Sequence, residues 1–400
     1  MKHVLVFSHA MELGGAEKAL LGLLGSFDTT EYGVDLFLMR HRGELLPFVP
    51  EDVHLLPERR GYSSLAVPIK DVLLRGEISV AIGRLAGKLA AKQRVRALGL
   101  PSDNDVSIQY SHKYTSFAMP KLKEREYDLA ISFLTPHYYV AEKVQAKVKV
   151  AWIHTDYSKL AVDREEQLRM WRRYDAIISI SEAVSESFVS VFPELADRIM
   201  LIPHILPVSY IRQQAELIIP EDEMPEDGSI RLLSVGRFCY AKNFDSIPAI
   251  CKKLLAYGLP VKWYLIGYGG SENMIRQKIK TEGMEEHVII LGKKSNPYPY
   301  MKACDLYVQP SRYEGKCVSV MEAQILAKPV IITNYPTASS QLEDGVDGLI
   351  VPSKNDDCAA GIARLLQDPE RMEILHRNCA ERDYSNANGI QKLYDLMECK

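Results

Sequence analysis

A chain of 400 residues, 47% hydrophobic and 25% charged, has the apolar content for two cores, because one core rarely grows past about 250–300 residues. A formal net charge of −3 supplies no basic field for general nucleic-acid binding. The seven cysteines (239, 251, 304, 317, 358, 379 and 399) all fall in the second half, with no CxxC pair and no Cys/His metal spacing, so reduced thiols are expected rather than a disulfide framework or a metal centre.

The N-terminal run Val4–Phe7 is too short for a secretion signal, and no apolar stretch reaches the roughly 18–20 residues that span a bilayer. The expected location is the cytoplasm, with the inner face of the cell membrane as a second possibility. Short β-rich runs then alternate with helical patterns. The first set of strands is expected at residues 3–8, 34–39, 128–133, 148–154, 175–180 and 199–202, the first of them followed by a helix at 16–24. The loop between that strand and helix carries Gly14 and Gly15, whose backbone N–H groups can approach a ligand closely. Residues 57–125 are helix-rich and the least legible. Within them, residues 82–100 hold Arg84, Lys88, Lys92, Arg94 and Arg96 and no acid, with Leu85, Leu89 and Val95 near helical spacing. Such a segment fits either a basic amphipathic helix on anionic lipid or a solvated helix whose apolar stripe packs inward. Asp103-Asn-Asp105, a D-x-D, does not follow a strand and reads as a turn. His154 and Asp156 end the strand at 148–154, at the tip where ligands gather in open α/β sheets.

Residues 203–229 contain Pro203, Pro207, Pro220 and Pro225 and an acidic run, and read as a linker and a poorly ordered loop. A second strand set follows at 230–235, 261–266, 288–291, 306–309, 330–333 and 349–351, with helices at 244–257, 272–283 and 318–327. Two such β-α alternations predict an α/β protein of two Rossmann-like, doubly wound domains. The predicted division is 1–205 and 206–385, followed by an amphipathic last helix in 386–400.

The chemistry concentrates at strand ends of the second set. Arg237 and Lys242 follow its first strand behind a glycine turn; one offers a guanidinium fork and the other a point charge to phosphate oxygens. Gly267 and Gly269 follow the next strand. After the strand at 306–309, Glu314 and Glu322 bracket the start of a helix, eight residues apart, with Gly315, Lys316, Cys317 and Val318 between them. Helix N-termini attract anions. Two acceptors roughly 9–12 Å apart along the axis, at 1.5 Å per residue, suit a sugar on one side of a diphosphate and a ribose on the other. Cys317, at a helix N-terminus, is expected to have a lowered pKa.

The Glu-x7-Glu spacing together with Gly-Arg-x4-Lys-Asn at 236–243 resembles the retaining glycosyltransferases of family 4, of the bacterial surface-polysaccharide type, over nearly the whole chain. The resemblance implies the GT-B fold, two Rossmann-like domains facing across a cleft, with the last helix, in 386–400, crossing back to the N-terminal domain. It implies transfer of a hexose or N-acetylhexosamine from a nucleoside-diphosphate sugar, a UDP-sugar above others, to a hydroxyl of a glycan or lipid-linked saccharide. No metal and no cofactor are implied. By the same resemblance His154, Arg237, Lys242 and Glu314 are catalytic. Gly14, Gly15, Gly267, Gly269, Gly315, Lys316, Cys317, Val318 and Glu322 bind the donor, the loop at 292–297 holds its base, and Asp156 is a candidate on the acceptor side. Lys316 and Cys317 depart from the Phe-Gly more common at these positions. Two other readings stand beside this one: a nucleotide-sugar 2-epimerase of the same fold, and a non-catalytic partner of another transferase.

Overall fold

Strands that read as near-continuous apolar runs are strands buried on both faces, the condition of a parallel sheet between helix layers. The computed structural model describes residues 1–100, 105–314 and 316–399, and shows two sheets in which every pairing is parallel. The chain divides into two compact units, residues 1–206 with 386–400, and residues 207–385.

Unit 1 holds strands β1 (Lys2–Ser8), β2 (Tyr32–Leu38), β3 (His54–Leu55), β4 (Leu122–Ser132), β5 (Val144–Ile153), β6 (Ala176–Ser179) and β7 (Ile199–Leu201), in the order β3-β2-β1-β4-β5-β6-β7. The order reverses between β1 and β4, which makes that edge the topological switch point. Val4, Leu5, Val6 and Phe7 of the central strand are fully buried. The helix Gln391–Glu398 belongs to this unit: Tyr394 stacks on Tyr32 with ring centroids 4.1 Å apart, and its hydroxyl accepts from the Asp28 N–H at 3.0 Å.

Unit 2 holds β8 (Ile230–Val235), β9 (Val261–Ile266), β10 (Val288–Gly292), β11 (Leu306–Gln309), β12 (Val330–Thr333) and β13 (Leu349–Val351), in the order β10-β9-β8-β11-β12-β13. Its switch point lies between β8 and β11. Leu232, Trp263, Leu265, Leu306, Val308 and Ile331 form its core with apolar faces of the helices Ile247–Ala256 and Asn355–Leu366. The expected linker is corrected at one point. Residues Val208–Ala215 form a helix, entered behind Pro207, and Tyr210 meets the Tyr298 ring edge-on at 6.1 Å. Proline at the entry of a helix costs nothing there, because the first N–H groups have no partner to lose.

The turn after β9 shows why glycines stand at 267 and 269. Both have positive φ (154° and 155°). A Cβ on Gly267 would lie 1.9 Å from the carbonyl oxygen of Gly236, and one on Gly269 would lie 2.4 Å from that of Phe238. The two loops are zipped by backbone bonds, Phe238 N–H to Tyr268 O at 2.9 Å and Ser271 N–H to Phe238 O at 3.0 Å. Gly267→Ala is therefore expected to lower the unfolding free energy by roughly 2–4 kcal/mol, read by urea denaturation; an unchanged midpoint would contradict the packing.

Candidate functional site

Arg237 and Lys242 leave the C-terminal end of β8, and the segment Ser311–Glu314 leaves the end of β11, so the switch point of unit 2 brings them together. The Lys242 side chain lies over Gly236, where a Cβ would come within 3.2 Å of Cε, and its ammonium donates to Glu314 Oε1 at 2.6 Å and reaches Cys317 Sγ at 3.4 Å. Burial opposes the charge of Lys242, but the sulfur of Cys317 and the carboxylate of Glu314 outweigh it, and its pKa stands above the ordinary value. Arg237, by contrast, is exposed and has no ion-pair partner among the described residues.

Glu314 is held from several sides. Ser311 Oγ donates to the same Oε1 at 2.6 Å, Gln309 Nε2 donates to Ser311 Oγ at 3.0 Å, and Thr337 Oγ1 donates to the Glu314 carbonyl at 2.7 Å. Among the described residues no donor reaches Oε2. The Arg312 guanidinium grips Asp245 at 2.8 and 3.0 Å and lies 4.2 Å from the centre of the Tyr240 ring, tying the loop after β11 to the loop after β8. Asn243, itself in the left-handed region at φ 58°, donates to the Pro310 carbonyl at 2.9 Å. The loops that carry Lys242 and Glu314 are thus fixed before any ligand arrives, which lowers the cost of ordering them on binding.

The helix Val318–Ile325 begins beside this pair, with Cys317 at its N-cap making no side-chain cap. The Cys317 N–H is taken by Gln341 Oε1 at 2.6 Å, and Gln341 Nε2 donates back to the Cys317 carbonyl at 3.3 Å. The expected low pKa of Cys317 is corrected. The thiol is buried, and burial pushes its pKa up although Lys242 lies close by. Val318 and Lys316 are exposed at the same end of the helix, and Gly315 lies outside the described residues. Glu322 is in the second turn, buried, and accepts from the Tyr298 hydroxyl at 2.7 Å. Lys294 and Asn296, in the loop after β10, pair with Glu223 (2.7 Å) and with the Gln214 carbonyl (2.9 Å). Gly267 and Gly269 sit at the next strand end, where their close packing already requires glycine.

In unit 1, His154 follows β5 directly. Its Nε2 lies 2.9 Å from the Phe133 carbonyl, which fixes the proton on that nitrogen, and its Nδ1 then faces His204 Nε2 at 3.3 Å as acceptor. Burial first, and the neighbouring His204 second, push the His154 pKa down to about 4; burial pushes His204 down to about 4 as well. His154 also lines a cavity of about 390 Å³ with His112, His137, Trp152, Tyr157 and Trp171. The Trp152 indole N–H is buried without a partner among the described residues. Asp156 caps a turn, its Oδ1 accepting from Ser158 N–H at 3.0 Å and from Ser158 Oγ at 2.6 Å. Gly14 is the N-cap of the helix Gly15–Leu24 and has extended backbone; the Glu17 carboxylate folds back over it, within 2.2 Å of where a Cβ would stand. Of the D-x-D, Asp103 lies outside the described residues and Asp105 precedes the helix Val106–Ser116. Among the described residues no group of three or more His, Cys, Asp or Glu is placed to hold a metal ion. No described helix is long and apolar enough to cross a membrane.

Sequence reasoning missed His204, Ser311, Gln341 and Tyr298. A signal existed for His204, which stands just beyond β7 as His154 stands just beyond β5. Ser311 stands only three residues before Glu314, in the same loop, while Gln341 and Tyr298 come from distant segments, and nothing in their spacing announces the contact.

Comparison with known proteins accords with this layout. The family described as "Glycosyl transferases group 1" matches residues 218–382, which lie within unit 2. Among characterised proteins, the alpha-D-kanosaminyltransferase of Streptomyces kanamyceticus is 28% identical over 152 residues, 37% of this chain and 39% of that protein. The N-acetylgalactosamine-N,N'-diacetylbacillosaminyl-diphospho-undecaprenol 4-alpha-N-acetylgalactosaminyltransferase of Campylobacter jejuni is 25% identical over 215 residues, 53% of this chain and 56% of that protein. The chain therefore spans between about two fifths and just over half of the length of these curated relatives. Among solved structures, HepE of Anabaena in complex with UDP superposes over 100% of both chains with a TM-score of 0.59 at 18% identity. A variant of TarM from S. aureus in complex with Fondaparinux, alpha-GlcNAc-glycerol and UDP covers 99% of this chain and 100% of that one, with a TM-score of 0.62 at 14% identity. At such identities the likeness shows the fold, which is GT-B.

Proposed function

We propose that this chain is a retaining glycosyltransferase of the family 4 type, moving a hexose or N-acetylhexosamine from a UDP-sugar to a hydroxyl of a glycan or lipid-linked saccharide. The observation that carries the reading is the pairing of Lys242 with Glu314 at the switch point of unit 2, beside the start of the helix Val318–Ile325, with Arg237 exposed just after the same strand as Lys242. In open α/β sheets the ligand lies at that edge, beyond the carboxyl ends of the strands.

In this reading Arg237 and Lys242 take up the charge that develops on the departing diphosphate, Lys242 from its fixed, largely buried position and Arg237 from the exposed strand end beside it. No metal enters the reading. The exposed Val318 backbone and Lys316 add to the phosphate side. Glu314 holds donor-sugar hydroxyls through Oε2, the oxygen that Lys242 and Ser311 leave to a ligand. Glu322, steadied by Tyr298, accepts from the ribose. Gly267 and Gly269 give the phosphate loop its close approach to β8, and Gly14 and Gly15 present backbone N–H groups on unit 1. His154, neutral at pH 7, offers ring dipole and shape to the reacting sugar rather than charge. The cavity beside it, with the Trp152 N–H and aromatic walls, suits an acceptor sugar, and Asp156 orients the acceptor from the rim. The departing phosphate takes the acceptor's proton on the face it leaves.

Calorimetry without metal tests the donor site. UDP is expected to bind with Kd on the order of micromolar and more tightly than GDP or ADP. Glu322→Gln, which keeps an acceptor for the Tyr298 hydroxyl and so spares the fold, is expected to weaken UDP binding by about 10-fold or more. Failure of all three nucleotides to bind would sink the reading and favour a non-catalytic partner.

A further inference from the structure

The helix Ile78–Leu98 in unit 1 is packed inside out. Its buried residues are mostly small, Ala81, Gly83, Gly87 and Ala91 with Val80, and they lie against the helix Val106–Ser116 so closely that a Cβ on Gly83 or Gly87 would stand 2.7 Å from the carbonyl oxygen of Tyr114 or Tyr110. Its large apolar residues face solvent instead: Ile78, Ile82, Leu85 and Leu89 are 60, 57, 48 and 66% exposed. At about 100° per residue these four fall within a sector of roughly 60°, opposite Gly83, Gly87 and Ala91. Leu73 and Leu74, in the segment leading into the helix, are 50 and 77% exposed.

Charge completes the pattern. The 21 residues Ile78–Leu98 contain no acid. Of the five cations in 82–100, Arg94 is spent on Asp163 (2.6 Å) and Arg84 on the Val67 carbonyl (2.5 Å). Lys88, Lys92 and Arg96 are exposed and have no ion-pair partner among the described residues. Lys92 and Arg96 continue the sector of the apolar stripe. Val95, counted with the stripe from the sequence, packs inward against Ala91, Val106 and Tyr110. The stripe is extended by Ile78 and Ile82 instead.

We infer that this face docks on an anionic lipid bilayer, the helix lying in the interface with Ile78, Ile82, Leu85 and Leu89 among the acyl chains and Lys88, Lys92 and Arg96 on the phosphates. The charge pattern selects this occupant over a second copy of the chain. Paired parallel, two such helices would set cation against cation, and paired antiparallel, cation against leucine, with no acid on the helix to compensate in either case. A bilayer takes both parts of the stripe at once. The inference rests on the helix alone and stands whatever the fate of the donor-site reading.

Co-sedimentation of the full chain with phosphatidylcholine vesicles, with and without phosphatidylglycerol, tests it. The wild type is expected to bind the anionic vesicles, less as salt rises, and to leave pure phosphatidylcholine vesicles largely unbound. The Leu85→Ser/Leu89→Ser variant, and separately Lys88→Ser/Lys92→Ser, should each lose about 10-fold or more of that binding. All four sites are exposed, so circular dichroism should be unchanged, and the lysine variant carries the test if the leucine variant misfolds. No vesicle binding by the wild type, or binding by either folded variant that equals the wild type's, overturns the inference. So does a wild-type dimer, seen by light scattering, that the leucine variant converts to monomer.

Discussion

Arg237→Ala and Lys242→Ala are expected to lose turnover alike, by about 10²–10³-fold each, the usual cost of one donor to developing negative charge, yet to differ in stability. Arg237 is exposed and pairs with no described residue, so its removal should move the unfolding free energy by no more than about 0.5 kcal/mol. Lys242 pairs with Glu314 at 2.6 Å, and the two side chains keep only 17 and 12% of their exposure. Removing one member of a fully buried pair costs about 3–5 kcal/mol because the other charge is stranded. With this residual exposure and with Ser311 still donating to Glu314, about 2 kcal/mol is the expected loss. The double variant Lys242→Met/Glu314→Gln should regain most of that stability and none of the activity, since it removes both charges together. Thermal denaturation and initial rates, with the donor that calorimetry identifies, read the two properties separately. Wild-type turnover in either single variant would defeat the assigned roles, and a Lys242→Ala protein as stable as wild type would defeat the account of the pair.

Acid is expected to unfold unit 1 well above the pH at which carboxylates titrate. His112, His154 and His204 are pushed down to about 4 and His137 to about 3, in every case by burial first. An unfolded histidine titrates near 6.5. As pH falls from about 6.5, the unfolded chain takes up these protons and the folded chain does not until about 4. The stability from these groups is therefore complete above about 6.5 and is lost between about 6.5 and 4. A gap of about 2 pH units is worth about 3 kcal/mol per group, so two groups alone approach the whole stability of an ordinary domain. All four histidines lie in unit 1. Trp152 and Trp171 also lie there, while Trp263 lies in unit 2. Fluorescence of a Trp263→Phe variant therefore follows unit 1 through a pH titration. A fluorescence signal and a urea midpoint that stay constant from pH 6.5 to 4.5 would refute the linkage.

What could be read in the sequence follows from where the signals are local. The twelve expected strands stand out where parallel strands between helix layers are apolar, whereas β4 and β5 begin at Leu122 and Val144, ahead of the expected 128 and 148, because their first halves carry charged, exposed residues. β3 escaped because two residues, His54 and Leu55, make no pattern. The helix Val208–Ala215 escaped because four prolines dominated the reading of its surroundings, although Pro207 merely opens it. Arg237, Lys242, Glu314 and Glu322 were legible because each stands at a fixed offset from a strand end. What steadies them was not. Gln341 reaches back to Cys317 and Tyr298 forward to Glu322, across 24 residues in each case, and no rule of spacing predicts such a meeting. Val95 was misplaced because a helix with apolar residues on two faces offers two stripes, and the sequence does not say which one the fold covers. Cys317 was misjudged because its position on the helix was legible and its burial was not.

The return of residues 386–400 to unit 1 makes unit 2 an insertion within unit 1, since the first unit is left at 206 and rejoined at 386. Synthesis runs from the N-terminus, so β1 to β7 leave the ribosome long before the helix whose Tyr394 closes over Tyr32. Until then an aromatic face at the edge of β2 stands open, while residues 207–385 can finish folding as a contiguous block. The second unit is thus free to mature ahead of the first. Truncation before Asn386 would leave unit 1 in the state of a nascent chain, lacking the piece that covers Tyr32.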